Sequence, residues 1–291
     1  MSRGCFESEA VKITYAMSDS TSGQDSNTIR VLVSLAVVLT TVSAWWKPHQ
    51  HTTWQWQLEN DDGHLVKTYA VDMYDIDLFD TSESDIQYLK HHGRKVICYF
   101  SAGSYEAWRP DHHDFPSSVL GHGLDGWDER WLDIRTDAVR NIMKKRLDLA
   151  VQKGCDGVEP DNVDVYSLST SKQGFHTHID EDDQLDFNKF IAKEAHARDL
   201  SVGLKNDVDQ IHELQSYFDW ALNEECMDFD ECDKYQPFID HHKPVFHVQY
   251  STKSHGSSTR SHVCHASSSD RPHQFMTLIK EKLVTDWRLA C

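Results

Sequence analysis

Two carboxylates and a carboxamide follow a short apolar segment near the middle of the sequence. Residues 156–162 read DGVEPDN and place Glu159, Asp161 and Asn162 within a few positions of one another. An apolar strand that ends in acids and is followed by a turn is how α/β proteins present catalytic groups at the carboxyl edge of a sheet. We therefore expect a functional site here, with Asp156 at the start of the segment in a structural role.

Polar side chains also follow the other apolar segments that we predict as strands. They are Gln57, Asp75, Tyr99, Ser101, Lys205, Asn206, Asn223, Glu224, Glu225, Gln249 and Tyr250. A single acid at a strand end is commonly a helix cap, but capping does not need Lys, Asn and Gln at strand ends as well. Convergence of these groups on one edge favours a site over a set of caps.

Two carboxylates on opposed strands can cleave a glycosidic bond. One protonates the leaving oxygen, while the other attacks the sugar or activates water. We choose Asp161 and Glu224 as this pair, and spacing alone leaves other pairs open. Aromatic residues in or near the following loops that could stack on sugar faces are Tyr99, Trp108, Trp127, Trp131 and Tyr250.

The elements that would position these groups alternate along the chain. Apolar segments predict strands at residues 54–58, 70–76, 95–101, 156–161, 201–205, 218–223, 244–250 and 275–280. Helical spacing of apolar residues predicts helices at 86–92, 137–153, 183–198, 207–217, 234–239 and 281–288. Seven or eight such units in ~240 residues match an α/β fold of the (β/α)8 TIM-barrel type in a single domain. An open doubly wound sheet is the second interpretation, weakened because no glycine-rich phosphate loop follows the first strand.

The charge and the histidines limit the possible partners. A formal net charge of −18 argues against nucleic acid, because binding a polyphosphate relies on Lys and Arg to neutralise phosphates. It suits a neutral or cationic partner, or serves solubility alone. None of the 19 histidines forms an HExxH pattern with an acid, so we expect no metal.

One long apolar run, IRVLVSLAVVLTTVSA, occupies residues 29–44. It is shorter than the ~20 apolar residues of a membrane span, and it ends in the small residues of a signal-peptidase site. We interpret it as a secretory signal cleaved after Ala44, with a retained signal anchor as the alternative. The protein would then be secreted, or attached to the cell surface if the anchor is retained. The predicted division is a polar extension at 1–28, the signal at 29–44, a linker at 45–53 and a catalytic domain at 54–291.

The sequence contains seven cysteines, of which Cys5 would leave with the signal. An even number in a secreted chain favours disulfides, although six cysteines allow fifteen pairings. We favour Cys226 with Cys232 and Cys264 with Cys291. Cys98 and Cys155, which lie in and before apolar runs, are expected to be buried free thiols.

Eight segments of the chain resemble those of one enzyme family. In order they are WQWQL at Trp54, YDIDLFDT at Tyr74, KVICYFSAGSYEAWRPD at Lys95, LGHGLDGWDERWLDIR at Leu120, GCDGVEPDNVD at Gly154, LSVGLKND at Leu200, FDWALNEEC at Phe218 and KPVFHVQY at Lys243. The chain thereby resembles glycoside-hydrolase family 114, the endo-α-1,4-polygalactosaminidases, and most of all its secreted fungal members. The match runs through nearly all of residues 54–291, so it is far more specific than one short motif.

The resemblance implies a TIM-barrel endo-hydrolase of α-1,4-linked galactosamine polymers, such as partly deacetylated galactosaminogalactan. The Asp of its EPDN motif and the Glu of its NE motif are Asp161 and Glu224, which we assign as nucleophile and acid/base. We expect a monomer that needs no cofactor. The expected substrate contacts are Asp75, Tyr99, Ser101, Trp108, Glu159, Asn162, Lys205, Asn206, Asn223, Glu225, Gln249 and Tyr250.

The expected partner is a cationic or partly acetylated galactosamine polysaccharide. Its ammonium groups could pair with Asp75, Glu159 and Glu225, and the acidic protein would attract it at low ionic strength. One position departs from the family pattern, since Gln249 stands where a glutamate is expected. The alternative function is therefore a weakly active or inactive carbohydrate-binding or cell-wall protein. The sequence leaves open whether hydrolysis retains or inverts the anomeric configuration.

Overall fold

Parallel strands that pair in the order of the chain form one curled sheet in the computed structural model, which describes residues 45–59 and 63–291. The strands are β1 (Trp54–Gln57), β2 (Met73–Asp77), β3 (Lys95–Ser101), β4 (Ser104–Glu106), β5 (Leu120–Gly123), β6 (Glu129–Leu132), β7 (Gly157–Asp161), β8 (Ser201–Lys205), β9 (Trp220–Glu224), β10 (Val245–Tyr250), β11 (Met276–Lys280) and β12 (Leu289–Ala290). The curled sheet has the order β1-β2-β3-β7-β8-β9-β10-β11-β12, in which β12 alone pairs antiparallel. The expected polar extension and signal segment lie outside the described residues.

Helices connect most of the consecutive parallel strands. They are α1 (Glu83–His91), α2 (Asp137–Lys153), α3 (Thr170–Gln173), α4 (Glu181–His196), α5 (Ile211–Leu214), α6 (Gln236–Asp240) and α7 (Gly256–Cys264). The sequence encodes the ends of α2: the Thr136 side chain accepts a hydrogen bond from the Val139 amide, and Gly154 ends the helix with a φ of 87°. Within the described part of the chain, no helix is long and apolar enough to cross a membrane.

The order of the sheet is consistent with a TIM-barrel-like (β/α)8 arrangement. A doubly wound sheet would reverse its strand order at a switch point, whereas these strands stay in sequence order. The first and last parallel strands, β1 and β11, share no ladder among the described residues, so the barrel is curled and not closed. The indole of Trp54 instead donates a hydrogen bond to the Met276 carbonyl at 3.0 Å.

The fold differs from the sequence prediction in several places, among them helix α7, which we did not predict. A three-stranded antiparallel sheet, β4-β6-β5, is inserted between β3 and α2, where we predicted no strand. The predicted helix at 281–288 is wrong, because this segment forms turns that lead into β12. Val284 has a left-handed φ of 52°, and its carbonyl accepts hydrogen bonds from the Leu58 and Glu59 amides at 3.0 and 3.3 Å. Tertiary pairing thus overrides the helical spacing of this segment.

Three disulfides join the six cysteines in the described residues. Cys226–Cys232 and Cys264–Cys291 confirm the two favoured pairs. The prediction of free thiols at Cys98 and Cys155 is wrong, because these two residues form the third disulfide. Cys98 lies on β3 and Cys155 shortly before β7, and the pairing of β3 with β7 brings their Cα atoms within 6.1 Å.

Candidate active site

The strands β7, β8 and β9 end in three charged residues that meet above the sheet. Asp161, Lys205 and Glu224 are the last residues of these neighbouring strands. The Lys205 ammonium lies 3.2 Å from Asp161 Oδ2 and 3.4 Å from Glu224 Oε2. Parallel strands end at a common edge, so residues far apart in sequence form one cluster.

The shared ammonium limits the distance between the two carboxylates. The two contacts of Lys205 together span 6.6 Å, which is the largest separation that Asp161 Oδ2 and Glu224 Oε2 can have. Carboxyl groups about 5–5.5 Å apart are typical of retaining glycosidases, and about 6.5–9.5 Å of inverting ones. The upper limit of 6.6 Å includes all the separations that are typical of retaining glycosidases, but only the shortest of those that are typical of inverting ones.

Two further acids lie beneath this cluster. Glu159 is fully buried and accepts hydrogen bonds from Lys205 Nζ at 2.9 Å and from the Trp56 indole at 3.0 Å. Burial raises the pKa of Glu159 to about 7, although Lys205 opposes the shift. Burial, and then the charge of Glu159, raise the pKa of Asp75 well above its usual range. A neutral Asp75 avoids an unpaired buried charge, because neither of its buried oxygens has a hydrogen-bond donor among the described residues.

Lys205 remains charged in this environment. Burial lowers its pKa, but the carboxylates of Asp161, Glu159 and Glu224 outweigh burial and raise the pKa well above its usual value. A buried ammonium is stable only when opposite charges and hydrogen bonds replace its water. Lys205 is therefore a fixed positive charge between the acids of the site.

Glu224 is held in place from both sides. The Tyr250 hydroxyl donates a hydrogen bond to Oε1, and the Asn206 amide group donates one to Oε2 at 3.1 Å. Burial raises the pKa of Glu224, but the Lys205 ammonium and these two hydrogen bonds outweigh burial and lower it. Glu224 is consequently ionised at neutral pH in the free protein.

The loop after β7 fixes Asp161. The Tyr99 hydroxyl donates a hydrogen bond to Asp161 Oδ2 at 3.1 Å, and the Asn162 amide donates one to Oδ1 at 2.7 Å. Asn162 has a left-handed φ of 59°, and its side chain donates a hydrogen bond to Ser101 Oγ at 2.8 Å. A Cβ at position 103 would lie 1.7 Å from the Asn162 carbonyl oxygen, so this close approach requires Gly103.

A cavity of about 550 Å³ opens above the cluster and is called here the catalytic cavity. Of the predicted site residues, those that line it are Tyr99, Asp161, Asn162, Lys205, Asn206, Glu224 and Tyr250. Aromatic side chains that share the lining are Trp56, Trp127 and Trp131. Trp127 is 51% exposed, which leaves much of its surface available to a ligand.

The other predicted site residues lie elsewhere. Glu225 lines a second, adjoining cavity, and Trp108 is half-exposed outside the lining. Those that are buried behind the lining are Asp75, Ser101, Glu159, Asn223 and Gln249. They can act on a substrate through the residues in front of them.

Gln249, the departure from the family pattern, is among these buried residues. Its side-chain amide donates a hydrogen bond to Asp228 Oδ2 at 2.8 Å. Because Gln249 is absent from the lining of the catalytic cavity, the departure removes no carboxylate from that lining.

Sequence reasoning missed several lining residues that come from the inserted sheet and from the segments that connect the parallel strands. They include His122, Asp125, Glu129, Asp164, Lys172, Lys282 and Val284. His122 and Glu129 belong to the inserted sheet, on β5 and β6. The candidate stacking residues Trp127 and Trp131 were the one sequence signal for this side of the catalytic cavity.

The described residues contain one close group of three potential metal ligands, formed by Cys226, Cys232 and His247. Both sulfurs are joined in a disulfide, so neither can act as a thiolate ligand. This group therefore gives no reason to expect a metal site.

Comparisons with known proteins agree with this geometry. The model of glycoside-hydrolase family GH114 matches residues 37–291. The crystal structure of Aspergillus fumigatus Ega3 in complex with galactosamine is 42% identical, with a TM-score of 0.74, and the match covers 84% of this chain and 97% of that chain. The glycoside hydrolase domain of PelA from Pseudomonas aeruginosa has the same fold, with 13% identity, a TM-score of 0.62 and coverage of 82% of this chain and 97% of that chain. No curated protein matches the sequence significantly.

Proposed function

The chain belongs to glycoside-hydrolase family GH114, and we propose that it is an endo-acting glycosidase that cleaves α-1,4-galactosaminidic linkages. The similar Ega3 structure contains galactosamine, which supports a galactosamine polysaccharide as substrate. The observation that carries the proposal is the approach of Asp161 and Glu224 to one ammonium in an aromatic-lined cavity. Two carboxylates so placed match the requirement of glycosidic bond cleavage.

The proposed mechanism gives Asp161 the role of nucleophile. Lys205 and Tyr99 contact the same oxygen, Oδ2, at 3.2 and 3.1 Å, while the Asn162 amide holds Oδ1. These contacts fix the direction of the carboxylate. Attack on the anomeric carbon would form a glycosyl ester and break the bond to the leaving oxygen, which takes a proton from the acid/base residue. Water would hydrolyse the ester in a second step.

Glu224 is the proposed acid/base. It is ionised in the free protein, so the acid role requires it to take up a proton when substrate excludes water from the cavity. Ester formation then removes the negative charge of Asp161. With that neighbouring charge gone, Lys205 favours ionised Glu224 more strongly, which suits its role as the base that activates water.

The arrangement of the cavities supports action within a polymer. The second cavity, of about 380 Å³, shares Asp164, Asn206, Glu224 and Lys282 with the catalytic cavity. A third cavity, of about 590 Å³, shares Tyr250 and Lys282 with it. Adjoining spaces on more than one side of the carboxylate pair can hold sugar units beyond the one that is cleaved.

Secretion is also part of the proposal. Three disulfides in the described residues favour an oxidising compartment outside the cytosol. Together with the apolar run at 29–44, they support export through a signal sequence. Without a retained anchor, the proposed location is extracellular.

Incubation with galactosamine polymers of graded acetylation tests the function. We expect mass spectrometry to detect a series of short oligosaccharides, with less product as acetylation or salt increases, because the protein carries a charge of −18 and the deacetylated polymer is cationic. A polymer that binds but stays intact would support the binding-protein alternative. Preference for the fully acetylated form would contradict the cationic substrate.

A further inference from the structure

Glu129 begins strand β6 of the inserted sheet and lines the catalytic cavity, but the proposed mechanism gives it no role. We propose that Glu129 is a positioning residue for Asp161, on which it acts through a chain of hydrogen bonds. The residues between them are Ser104, Ser101 and Asn162. This inference rests on the proposed function, because it explains how the nucleophile is held. It gives the inserted sheet a task in catalysis beyond forming one side of the cavity.

The chain is continuous from Glu129 to Asp161. The Ser104 hydroxyl donates a hydrogen bond to Glu129 Oε2 and is also hydrogen-bonded to the Ser101 hydroxyl. The side-chain amide of Asn162 donates to Ser101 Oγ at 2.8 Å and to Ser104 Oγ at 3.3 Å. The backbone amide of Asn162 donates to Asp161 Oδ1 at 2.7 Å. Ser101 and Ser104 are fully buried, so bulk water does not compete for their hydrogen bonds.

The carboxylate of Glu129 sets the direction of the bonds between the side chains. A serine hydroxyl has one proton to donate and two lone pairs. Because Ser104 gives its proton to Glu129, the proton between the two serines must come from Ser101. Ser101 Oγ then only accepts, and its two lone pairs receive the Asn162 side chain and the Ser104 backbone amide, the latter at 3.1 Å. An ionised Glu129 therefore fixes the orientation of the Asn162 side chain.

A neutral Glu129 would not fix this orientation. A protonated carboxyl group can donate to Ser104, whose own proton then competes with Asn162 for Ser101. Burial raises the pKa of Glu129, while the hydrogen bond from Ser104 opposes this shift. Charged groups near Glu129 are the acids Asp161 and Glu106, which oppose its ionisation, and Arg109 and Arg146, which favour it. The two guanidinium groups behind the inserted sheet thus support the form of Glu129 that the chain requires.

The backbone of Asn162 explains why its side chain needs an anchor. Its φ of 59° lies in the left-handed region, which residues other than glycine adopt at a cost in energy. The hydrogen bond to buried Ser101 holds Asn162 in this conformation. The backbone amide of Asn162 then points at Asp161 Oδ1, and its carbonyl oxygen packs against Gly103. Without the anchor, Asn162 can relax to another conformation, and Asp161 loses the donor that holds Oδ1.

Variants at two positions separate this role from a direct contact between Glu129 and substrate. Glu129→Met removes the acceptor, whereas Glu129→Gln removes the charge and keeps an oxygen that can accept from Ser104. Ser104→Ala breaks the chain one step closer to Asp161, and Glu129→Met/Ser104→Ala breaks it at both positions. Asp128→Asn is the control for loss of charge, because Asp128 is exposed, precedes Glu129 directly and is absent from the lining of the catalytic cavity.

The kinetic test uses galactosamine polymer. We expect Glu129→Met to lower kcat up to about 100-fold with little change in KM, because a misplaced nucleophile attacks slowly without weakening substrate binding. Glu129→Gln should lose less, since a neutral acceptor keeps a weaker hydrogen bond. Ser104→Ala should resemble Glu129→Met, and the double variant should be no slower than the slower single variant, because both changes break one chain. Asp128→Asn should match the unmodified protein.

Two kinetic outcomes would overturn the proposal. If the losses in kcat add in the double variant, Glu129 and Ser104 act independently. If the Glu129 variants raise KM and leave kcat unchanged, Glu129 contacts the substrate directly. Circular dichroism of each variant checks the fold, and Glu129→Gln, which keeps the shape of the side chain, allows the test even if Glu129→Met does not fold.

A second measurement follows the chain without hydrolysis. In ¹⁵N NMR spectra of the free protein, Glu129→Met and Ser104→Ala should both shift the side-chain amide signal of Asn162, whereas Asp128→Asn should leave it in place. An Asn162 signal that does not move in either variant would contradict the chain. If the unmodified protein fails to hydrolyse the polymer, the proposed function fails, while this signal still decides whether Glu129 acts on Asn162.

Discussion

Asp161 and Glu224 contact the same ammonium group, that of Lys205, at 3.2 and 3.4 Å. The three residues end adjacent parallel strands, so the sheet itself sets their relative positions. Asp75 and Glu159, which are buried below, add no solvent-exposed charge. The site thus combines a partly exposed acid pair with a buried network, in which Lys205 lowers the pKa of Glu224.

Replacement of either acid of the pair should abolish most of the activity. We expect Glu224→Gln to lower kcat on polymer about 10²- to 10⁴-fold, the usual contribution of acid–base catalysis. Asp161→Asn should reduce the rate on every substrate, whereas Glu224→Gln should still form the glycosyl ester from a substrate with an activated aryl leaving group. Burst kinetics with an aryl glycoside measure this difference, and circular dichroism checks the fold. The reverse pattern would exchange the two roles.

The separation of the pair predicts retention of the anomeric configuration. Asp161 Oδ2 and Glu224 Oε2 are at most 6.6 Å apart, which leaves little room for a water between them. Proton NMR recorded within the first minutes of hydrolysis should show new reducing ends in the α form, before mutarotation. Initial release of the β form would contradict the assignment of Asp161 as nucleophile.

Removal of the Lys205 charge should shift the pH dependence of kcat/KM to higher pH. Lys205 lowers the pKa of Glu224, so Lys205→Met should raise that pKa and move the basic limb of kcat/KM to higher pH. Lys205→Arg keeps the charge and should leave the limb near its original position. NMR titration of Glu labelled with ¹³C in the carboxyl group measures the same shift without activity. An unchanged limb in Lys205→Met would show that Lys205 does not control Glu224.

The residues at the carboxyl edge of the sheet could be predicted because the sequence patterns that indicate strand ends are local. Asp161, Lys205 and Glu224 each follow an apolar run, and all three end parallel strands close to where the pattern placed them. A TIM-barrel-like order then follows from the alternation of strands and helices. Local patterns also predicted helix α2 with the same bounds, 137–153, that it has in the structure.

The sequence could not predict features that depend on tertiary contacts. Nothing in the apolar runs around Cys98 and Cys155 indicates that they belong to neighbouring strands. Lys282 lies in a segment whose apolar spacing predicts a helix. Because the Leu58 amide donates a hydrogen bond to the Val284 carbonyl, this segment instead forms a turn, and Lys282 lines the catalytic cavity. Likewise, Glu159 was expected to contact the substrate, but it is buried behind Lys205.

Loss of the Cys98–Cys155 disulfide should destabilise the protein more than loss of Cys226–Cys232. The first closes a loop of 57 residues and the second a loop of 6, and loop entropy predicts about 4 and about 2 kcal/mol respectively. Urea unfolding of the Cys98→Ala/Cys155→Ala and Cys226→Ala/Cys232→Ala double variants compares the two costs. Equal stability of the first double variant and the unmodified protein would contradict a closed Cys98–Cys155 bond.

Asp207 should make the protein less stable as pH rises. Its pKa is about 8 in the folded protein and 3.8 ordinarily, so between these values the folded state holds a proton that the unfolded state has lost. The free energy of unfolding therefore falls as pH rises through this window. Asp207→Asn cannot ionise, suits the left-handed φ of 44° at this position, and keeps an acceptor for Asn188. We expect the variant to gain about 1–3 kcal/mol over the unmodified protein between pH 5 and pH 8.

Urea unfolding at several pH values measures this gain as the difference between the two stability curves. Other titrating groups are common to both proteins, so their contributions cancel in that difference. Asp182→Asn, which changes an exposed acid, should give a curve parallel to that of the unmodified protein. A parallel curve for Asp207→Asn would mean that Asp207 is already ionised in the folded protein.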